Sequence, residues 1–168
     1  MKDNFRIRDA AFADLQAIVS IYNSTIPSRM VTADTEPVSV ESKEKWFYEH
    51  TPDFRPLWVL EHHDKICGWL SFQSFYGRPA YNATAEMSIY IDQAYRGQRL
   101  GYFLMQHAID TCPRLGIKVL LGFVFGHNKP SLALCHKFGF CDWGRLPGVA
   151  VLDGVERDLI IVGKRLYE

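Results

Sequence analysis

Residues 86–101 read Glu86-Met87-Ser88-Ile89-Tyr90-Ile91-Asp92-Gln93-Ala94-Tyr95-Arg96-Gly97-Gln98-Arg99-Leu100-Gly101. The first six carry the β-branched and aromatic residues of a strand. Tyr95 to Gly101 is a polar, glycine-containing turn, and the helix after it places Leu100, Leu104, Ala108 and Ile109 on one face before ending near Pro113. Val119 to Phe125 is a second apolar strand. A strand–helix–strand crossover over 86–125 makes these two strands a parallel pair. The turn between them carries the chemistry. Successive free N–H groups at a helix N-terminus, aligned with the helix dipole, form an anion site. Gly97 lets the backbone turn tightly, Gly101 lets a bulky phosphate approach the first helical turn, and Arg96 and Arg99 add positive charge. The hexad 96–101 has neither the Gly-Lys-Ser/Thr of a P-loop nor the Gly-x-Gly-x-x-Gly of a dinucleotide fold. Alone, it fits an ordinary strand-to-helix turn equally well.

Outward from this unit, Phe5 to Arg8 alternates as a short strand, and Asp14 stands where it can cap a helix carrying Leu15, Ile18, Val19 and Tyr22. Residues 26–40 hold Pro27 and Pro37 and no period, which predicts a loop or broken helix. A helix is expected over 41–50 with Trp46 and Phe47 as apolar anchors, then strands at 57–60 and 66–75 joined by a turn at His62–Lys65. Residues 76–82 form a loop, 131–137 a short helix, and 140–146 and 155–165 the last two strands. The sum is an α+β fold: a mixed, mostly antiparallel sheet of about six to seven strands with helices on both faces. At 168 residues and without repeats, the chain predicts a single domain over 1–168.

Nineteen basic residues balance nineteen acidic ones, so the chain lacks the basic footprint of a general nucleic-acid binder. No apolar run approaches the roughly 20 residues of a membrane span, and MKDNFRIRDA lacks the apolar stretch of a signal peptide. Cys67, Cys112, Cys135 and Cys141 form no Cys-x-x-Cys pair, so the expectation is reduced thiols in a cytoplasmic protein. No histidine has a partner at metal-ligand spacing, and the neighbours His62 and His63 are expected to point to opposite sides, so no metal is expected.

The hexad resembles the acetyl-CoA pyrophosphate loop of the GNAT superfamily of N-acetyltransferases, Arg/Gln-x-x-Gly-x-Gly/Ala. The resemblance runs over nearly the whole chain and is most similar to the phosphinothricin acetyltransferase-like branch. It rests on Ile7-Arg8-Asp9-Ala10, Ile21-Tyr22-Asn23, Trp46, Arg78, Ala80-Tyr81, Thr84-x-Glu86, Ile89-Tyr90-Ile91, Asn128-x-x-Ser131 and Phe138-Gly139-Phe140. It implies a GNAT-like fold whose strand 86–91 splays from 119–125, with the pantetheine arm of acetyl-CoA in the opening. Backbone groups near Ile89, Tyr90 and Ile91 would pair with that arm, much as an added strand does. By the same resemblance, Arg96, Gly97, Gln98, Arg99, Leu100, Gly101 and Tyr102 hold the pyrophosphate, and Asn128 and Ser131 reach the far side of the cofactor. The family usually has glycine where Arg99 stands; an arginine supplies the same N–H if its φ/ψ are ordinary and its side chain points away.

Glu86 is the candidate general base, because an amine protonated at neutral pH must lose a proton before attacking a thioester. Beside the apolar run 87–91 its pKa is expected to rise. The same residue also fits an exposed strand glutamate. Cys135 stands where relatives carry an acid for the departing thiolate, so the candidates are the Cys135 thiol or a shifted His136; a small buried packing residue fits as well. Phe75, Tyr76, Arg78 and Tyr81 are expected to wall the acceptor site, Arg78 as a fork for a carboxylate. In place of the branch's usual Lys-Phe-Gly-Arg-Trp-x-Asp stands Leu152-Asp153-Gly154-Val155-Glu156-Arg157-Asp158, which removes positive charge and leaves a neutral or cationic amine in competition with an amino acid. The expected activity is acetyl transfer from acetyl-CoA to a primary amine of a small molecule, such as an amino acid or a phosphinothricin or methionine sulfoximine analogue. The alternatives are an acyl-CoA-binding module with little catalysis and a protein or peptide N-acetyltransferase. The resemblance also implies a homodimer.

Overall fold

Alternation along the strands becomes one seven-stranded sheet with a core on each side. The structure, a computed structural model, describes residues 4–168. The elements run β1 (Phe5–Asp9), α1 (Leu15–Thr25), α2 (Glu44–Tyr48), β2 (Leu57–His62), β3 (Lys65–Ser74), β4 (Thr84–Ile91), α3 (Leu100–Thr111), β5 (Val119–Phe125), α4 (Lys129–Lys137), β6 (Cys141–Leu152) and β7 (Val155–Arg165). The sheet order is β1-β2-β3-β4-β5-β7-β6, and every neighbouring pair is antiparallel except β4–β5. The expected α+β sheet, its strand count and its one parallel crossover pair are all present.

Successive residues of β2 divide between the two faces, as a period of two requires. Leu57 and Val59 join Ile18, Ile21 and Trp69 under α1, with Trp46 and Phe47 packed against them. Trp58 and Leu60 join Leu70 and Phe72 under α3, whose Leu100, Leu104, Met105 and Ala108 complete that side with Leu132 and Cys135 of α4. Helices therefore cover both faces, and the strands between them are apolar on both sides. Buried Arg55 donates to the carbonyls of Phe54 at 3.0 Å and Asn82 at 2.8 Å, tying down the segment that leads into β4.

Four local expectations need correction. Asp14 precedes α1 but does not cap it; its carboxylate accepts from the Ala11 N–H at 2.7 Å and from Arg8 at 2.7 and 2.9 Å. The ion pair outcompetes the cap because Arg8, on β1, sits opposite. The helix expected over 41–50 is a 3-10 turn (Glu41–Lys43) followed by the five residues of α2. The strand expected to stop at 146 continues to Leu152 through Pro147, where the register with β7 shifts between Leu146 and Ala150. An edge strand accommodates a proline because its outer N–H needs no partner. Finally, His63 and Asp64 both take positive φ in a tight hairpin turn, which brings the His62 and His63 rings to 4.3 Å instead of opposite sides.

Phe72 is fully buried and meets Trp58 edge-on at 5.3 Å. Phe72→Ala should lower unfolding free energy by about 3–5 kcal/mol, measured by urea titration.

Candidate active site

Three cross-strand pairs make a floor. Trp69–Tyr90, Ser71–Ser88 and Gln73–Glu86 face the α1 side of β3 and β4 in register. Tyr22 of α1, Val38 of the following loop, Lys43 and Trp46 rise around them and enclose about 250 Å³. The walls are interlocked aromatics. Trp69 stacks on Tyr90 at 4.4 Å, Tyr22 meets Tyr90 edge-on at 5.3 Å, and Trp46 meets Trp69 edge-on at 5.6 Å. The Trp69 indole N–H donates to the Ile18 carbonyl at 3.1 Å, so the floor is pinned to α1. Asn23 pins the loop by bonding both the N–H and the carbonyl of Val38 at 2.9 Å. The Tyr22 hydroxyl donates to the Asp34 carboxylate and accepts from the Thr32 hydroxyl, since it has one proton to give. Burial and that acidic neighbour push the Tyr22 hydroxyl up to about 12.

Glu86 is the carboxylate of this cavity. Its side chain has no hydrogen-bond or ion-pair partner among the described residues, and burial alone pushes its pKa above the ordinary range. A carboxylate so placed holds a proton more readily than an exposed one, which suits a base. Ser88 and Tyr90 also line a second, narrower space of about 100 Å³ on the β5 side, so the two cavities meet along β4.

The second space exists because β4 and β5 pair only through Thr84–Val119, Ala85–Leu120 and Glu86–Leu121. Beyond Glu86 the strands part, and among the described residues the β5-facing edge of β4 from Met87 to Ile91 has no strand neighbour. Ile89 and Tyr90 line one wall, and Gly122, Phe123 and Val124 the other. Asn128, Ser131 and Cys135 close the top from α4. Asn128 is also the cap of α4, accepting from the Ser131 N–H at 3.3 Å. Burial pushes the Cys135 thiol up to about 11. His136 does not share this position; it is exposed and pairs with Asp142 at 2.7 Å. His136 therefore does not line the cleft.

At the far end of the cleft, Ile91, Arg96, Gly97, Arg99, Leu100, Gly101 and Tyr102 line a depression of about 430 Å³ with Tyr95, Pro130, Leu134 and Lys137. Among the described residues, no acceptor takes a backbone N–H from 97 to 102, and the first bond of α3 is Phe103 to the Arg99 carbonyl at 3.1 Å. Arg99 and Lys137 flank the Tyr102 ring at 4.9 and 5.4 Å. Free donors at a helix N-terminus with three cations beside them are an arrangement that suits an anion. Gln98 is exposed and outside this lining.

Arg99 departs from its expected conformation. It is left-handed, with φ 60° and ψ 27°, a region that costs an L-residue roughly 1–2 kcal/mol. The turn demands it, which explains why glycine is usual there. Gly101 also has a different reason from the one expected: a Cβ would stand 3.3 Å from the Leu134 side chain, so glycine lets α3 and α4 pack.

Phe75, Tyr76, Arg78 and Tyr81 do not line the cavity around Glu86. They stand on the segment joining β3 to β4, at its Glu86 end, where Phe75, Tyr76 and Tyr81 cluster at 4.5–5.9 Å and Tyr76 is 77% exposed. The lining comes instead from Tyr22, Lys43, Trp46, Trp69, Ser71, Gln73 and Ser88. Tyr22 and Trp46 were visible as landmarks without a role; the period-two pattern of β3 was the signal that could have found Trp69, Ser71 and Gln73.

A splayed parallel strand pair, with a helix N-terminus at one end and a small aromatic cavity at the other, fits a transferase. The chain belongs to the acetyltransferase (GNAT) family, whose sequence model it matches over residues 16–140. Within the family it is similar to YwnH of Bacillus subtilis, named provisionally as a phosphinothricin acetyltransferase, at 55% identity over 95% of this chain and 98% of that protein. The L-methionine sulfoximine/L-methionine sulfone acetyltransferase of Salmonella typhimurium is 28% identical over 96% of this chain and 95% of its own length. The structure of YncA from Salmonella typhimurium, named provisionally as an acetyltransferase and described with its cofactor acetyl-CoA, superposes with a TM-score of 0.91. It is 28% identical and covers 99% of this chain and 96% of its own. The chain is thus an acetyltransferase of this family.

Replacing the two strained turn positions in opposite senses should move stability oppositely. Gly97 has φ 76°, so Gly97→Ala should cost about 1–2 kcal/mol, while Arg99→Gly should be neutral or stabilising by up to about 1 kcal/mol, both read by urea unfolding.

Proposed function

We propose that the protein transfers an acetyl group from acetyl-CoA to the primary amine of a small amino acid or close analogue, with Glu86 as general base. The observation that carries this is the position of Glu86: partnerless, half-buried, and in a cavity that meets the β4–β5 cleft at Ser88 and Tyr90. The residues present fit acetyl-CoA. The unpaired edge of β4 near Ile89 and Ile91 suits the pantetheine amides, Asn128 and Ser131 stand on the other wall, and the N–H groups of 97–102 with Arg96, Arg99 and Lys137 suit a pyrophosphate. Bound acetyl-CoA supplies an acyl group activated as a thioester.

The chain's own residues do the rest. Glu86 Oε accepts a proton from the substrate ammonium, directly or through one water, leaving a lone pair on nitrogen. The elevated pKa strengthens it as an acceptor, and the aromatic walls hold the amine where the two cavities join. A cavity of about 250 Å³ favours a small molecule over a peptide, whose binding groove needs more than the roughly 300–1,000 Å³ of drug-sized sites. Cys135 is protonated at neutral pH, with a thiol near 11, and CoA is a good leaving group without help, so its role is packing. A homodimer is supported by the apolar side chains along the edge strand β6, where Trp143, Val149 and Val151 are 52–61% exposed.

CoA-thiol release should be tested against amino acids, their sulfone and sulfoximine analogues, polyamines and peptides. Glu86→Gln should lower kcat by about 10²–10⁴-fold on the preferred amine, and unchanged turnover would remove Glu86 as the base. In wild type, kcat/KM should fall as pH drops and Glu86 becomes protonated. Because its pKa is raised, that limb should lie above the ordinary carboxylate value of about 4.3 and vanish in Glu86→Gln. Cys135→Ala should keep kcat within about threefold, whereas a catalytic acid would cost about 10²-fold or more.

A further inference from the structure

The acceptor cavity holds two opposite charges and nothing that cancels either. Among the described residues lining it, Glu86 is the one carboxylate and Lys43 the one basic side chain. Lys43 ends the 3-10 turn that precedes α2, and its Nζ lies 5.6 Å from the centroid of the Tyr22 ring. The Tyr22 face orients the ammonium without neutralising it. Lys43 forms no ion pair among the described residues, and Asp34 accepts from the Tyr22 hydroxyl. Arg78, expected to serve as the carboxylate fork, is exposed beyond the Glu86 end of the floor.

We propose that Lys43 is the specificity-determining residue of the acceptor site: it holds the α-carboxylate of a zwitterionic α-amino acid whose ammonium faces Glu86. This rests on the amine-acceptor reading above and names its substrate class. A free amino acid carries one carboxylate and one ammonium, matching in sign the one cation and one anion that line a small cavity. A polyamine would bring a second positive charge against Lys43, and a peptide N-terminus would bring a neutral amide there. Lysine acts here as a compact point charge, so arginine preserves the attraction and methionine removes it at similar length.

The test compares L-methionine sulfone with its carboxamide, which lacks only the negative charge. Lys43→Met should raise KM for the acid about 10–100-fold, with kcat within about threefold and KM for the carboxamide changed less than about threefold. Lys43→Arg should recover most of the loss. Trp46 and Trp69 line the cavity, so quenching of tryptophan fluorescence should report the same differential in Kd without acetyl-CoA. Equal effects on both probes, or none, overturn the proposal, as does an acid-selective loss in Arg78→Met that Lys43→Met lacks. Wild type that binds L-methionine sulfone through Lys43 yet releases no CoA thiol overturns the acetyl-transfer reading and leaves the Lys43 contact standing. Wild type that neither binds nor acetylates it overturns both.

Discussion

Everything distinctive in this molecule depends on a strand pairing that stops after three residues. β4 keeps its full ladder with β3 from Ala85 to Ile91, and β5 keeps its own with β7 from Val119 to Phe125. Between them only residues 84–86 and 119–121 pair. Each strand is held by its outer neighbour. Gly68 on β3 strengthens the hold on β4: a Cβ there would stand 3.0 Å from the Tyr90 carbonyl and 2.8 Å from the Ile91 side chain. Unpaired backbone is costly when buried unless another partner supplies the missing bonds. In the proposed reading the opening suits an extended, amide-bearing ligand, and the helix N-terminus beyond it suits an anionic end on that ligand.

The same divergence joins the two chambers. Side chains on β4 alternate, so Glu86, Ser88 and Tyr90 face the aromatic cavity while Met87 and Ile89 face the α3 side. Ser88 and Tyr90 border both spaces because the strand that would have covered them has turned away. A balanced net charge hides a strong local polarisation: Arg96, Arg99 and Lys137 gather at one end, and Lys43 and Glu86 stand at the other.

Most of the fold was legible because it is written in short periods. The strand at 57–60, the crossover at 86–125 and the α3 face of Leu100, Leu104 and Ala108 appear where alternation and helical spacing place them. Boundaries failed where a competing interaction won. Asp14 turns to Arg8 instead of capping α1, and β6 runs on through Pro147 because it is the sheet's outer edge. Arg99 shows the limit most sharply: its identity was visible, but its left-handed backbone is imposed by the turn between β4 and α3.

By itself the sequence determined most element types and the parallel crossover, because each is a local pattern of spacing and residue type; the loop at 96–102 and Glu86 were singled out through a family resemblance. The tertiary structure alone decided which side chains surround Glu86. Lys43, Trp46, Tyr22 and Trp69 come from three separate segments and converge only when α1 and α2 pack on the β3–β4 face. It also decided that Cys135 faces the cleft while its neighbour His136 points outward to Asp142, and that the Phe75–Tyr81 aromatics cluster apart from the cavity. Such assignments depend on packing between segments distant in the chain, which no local period records.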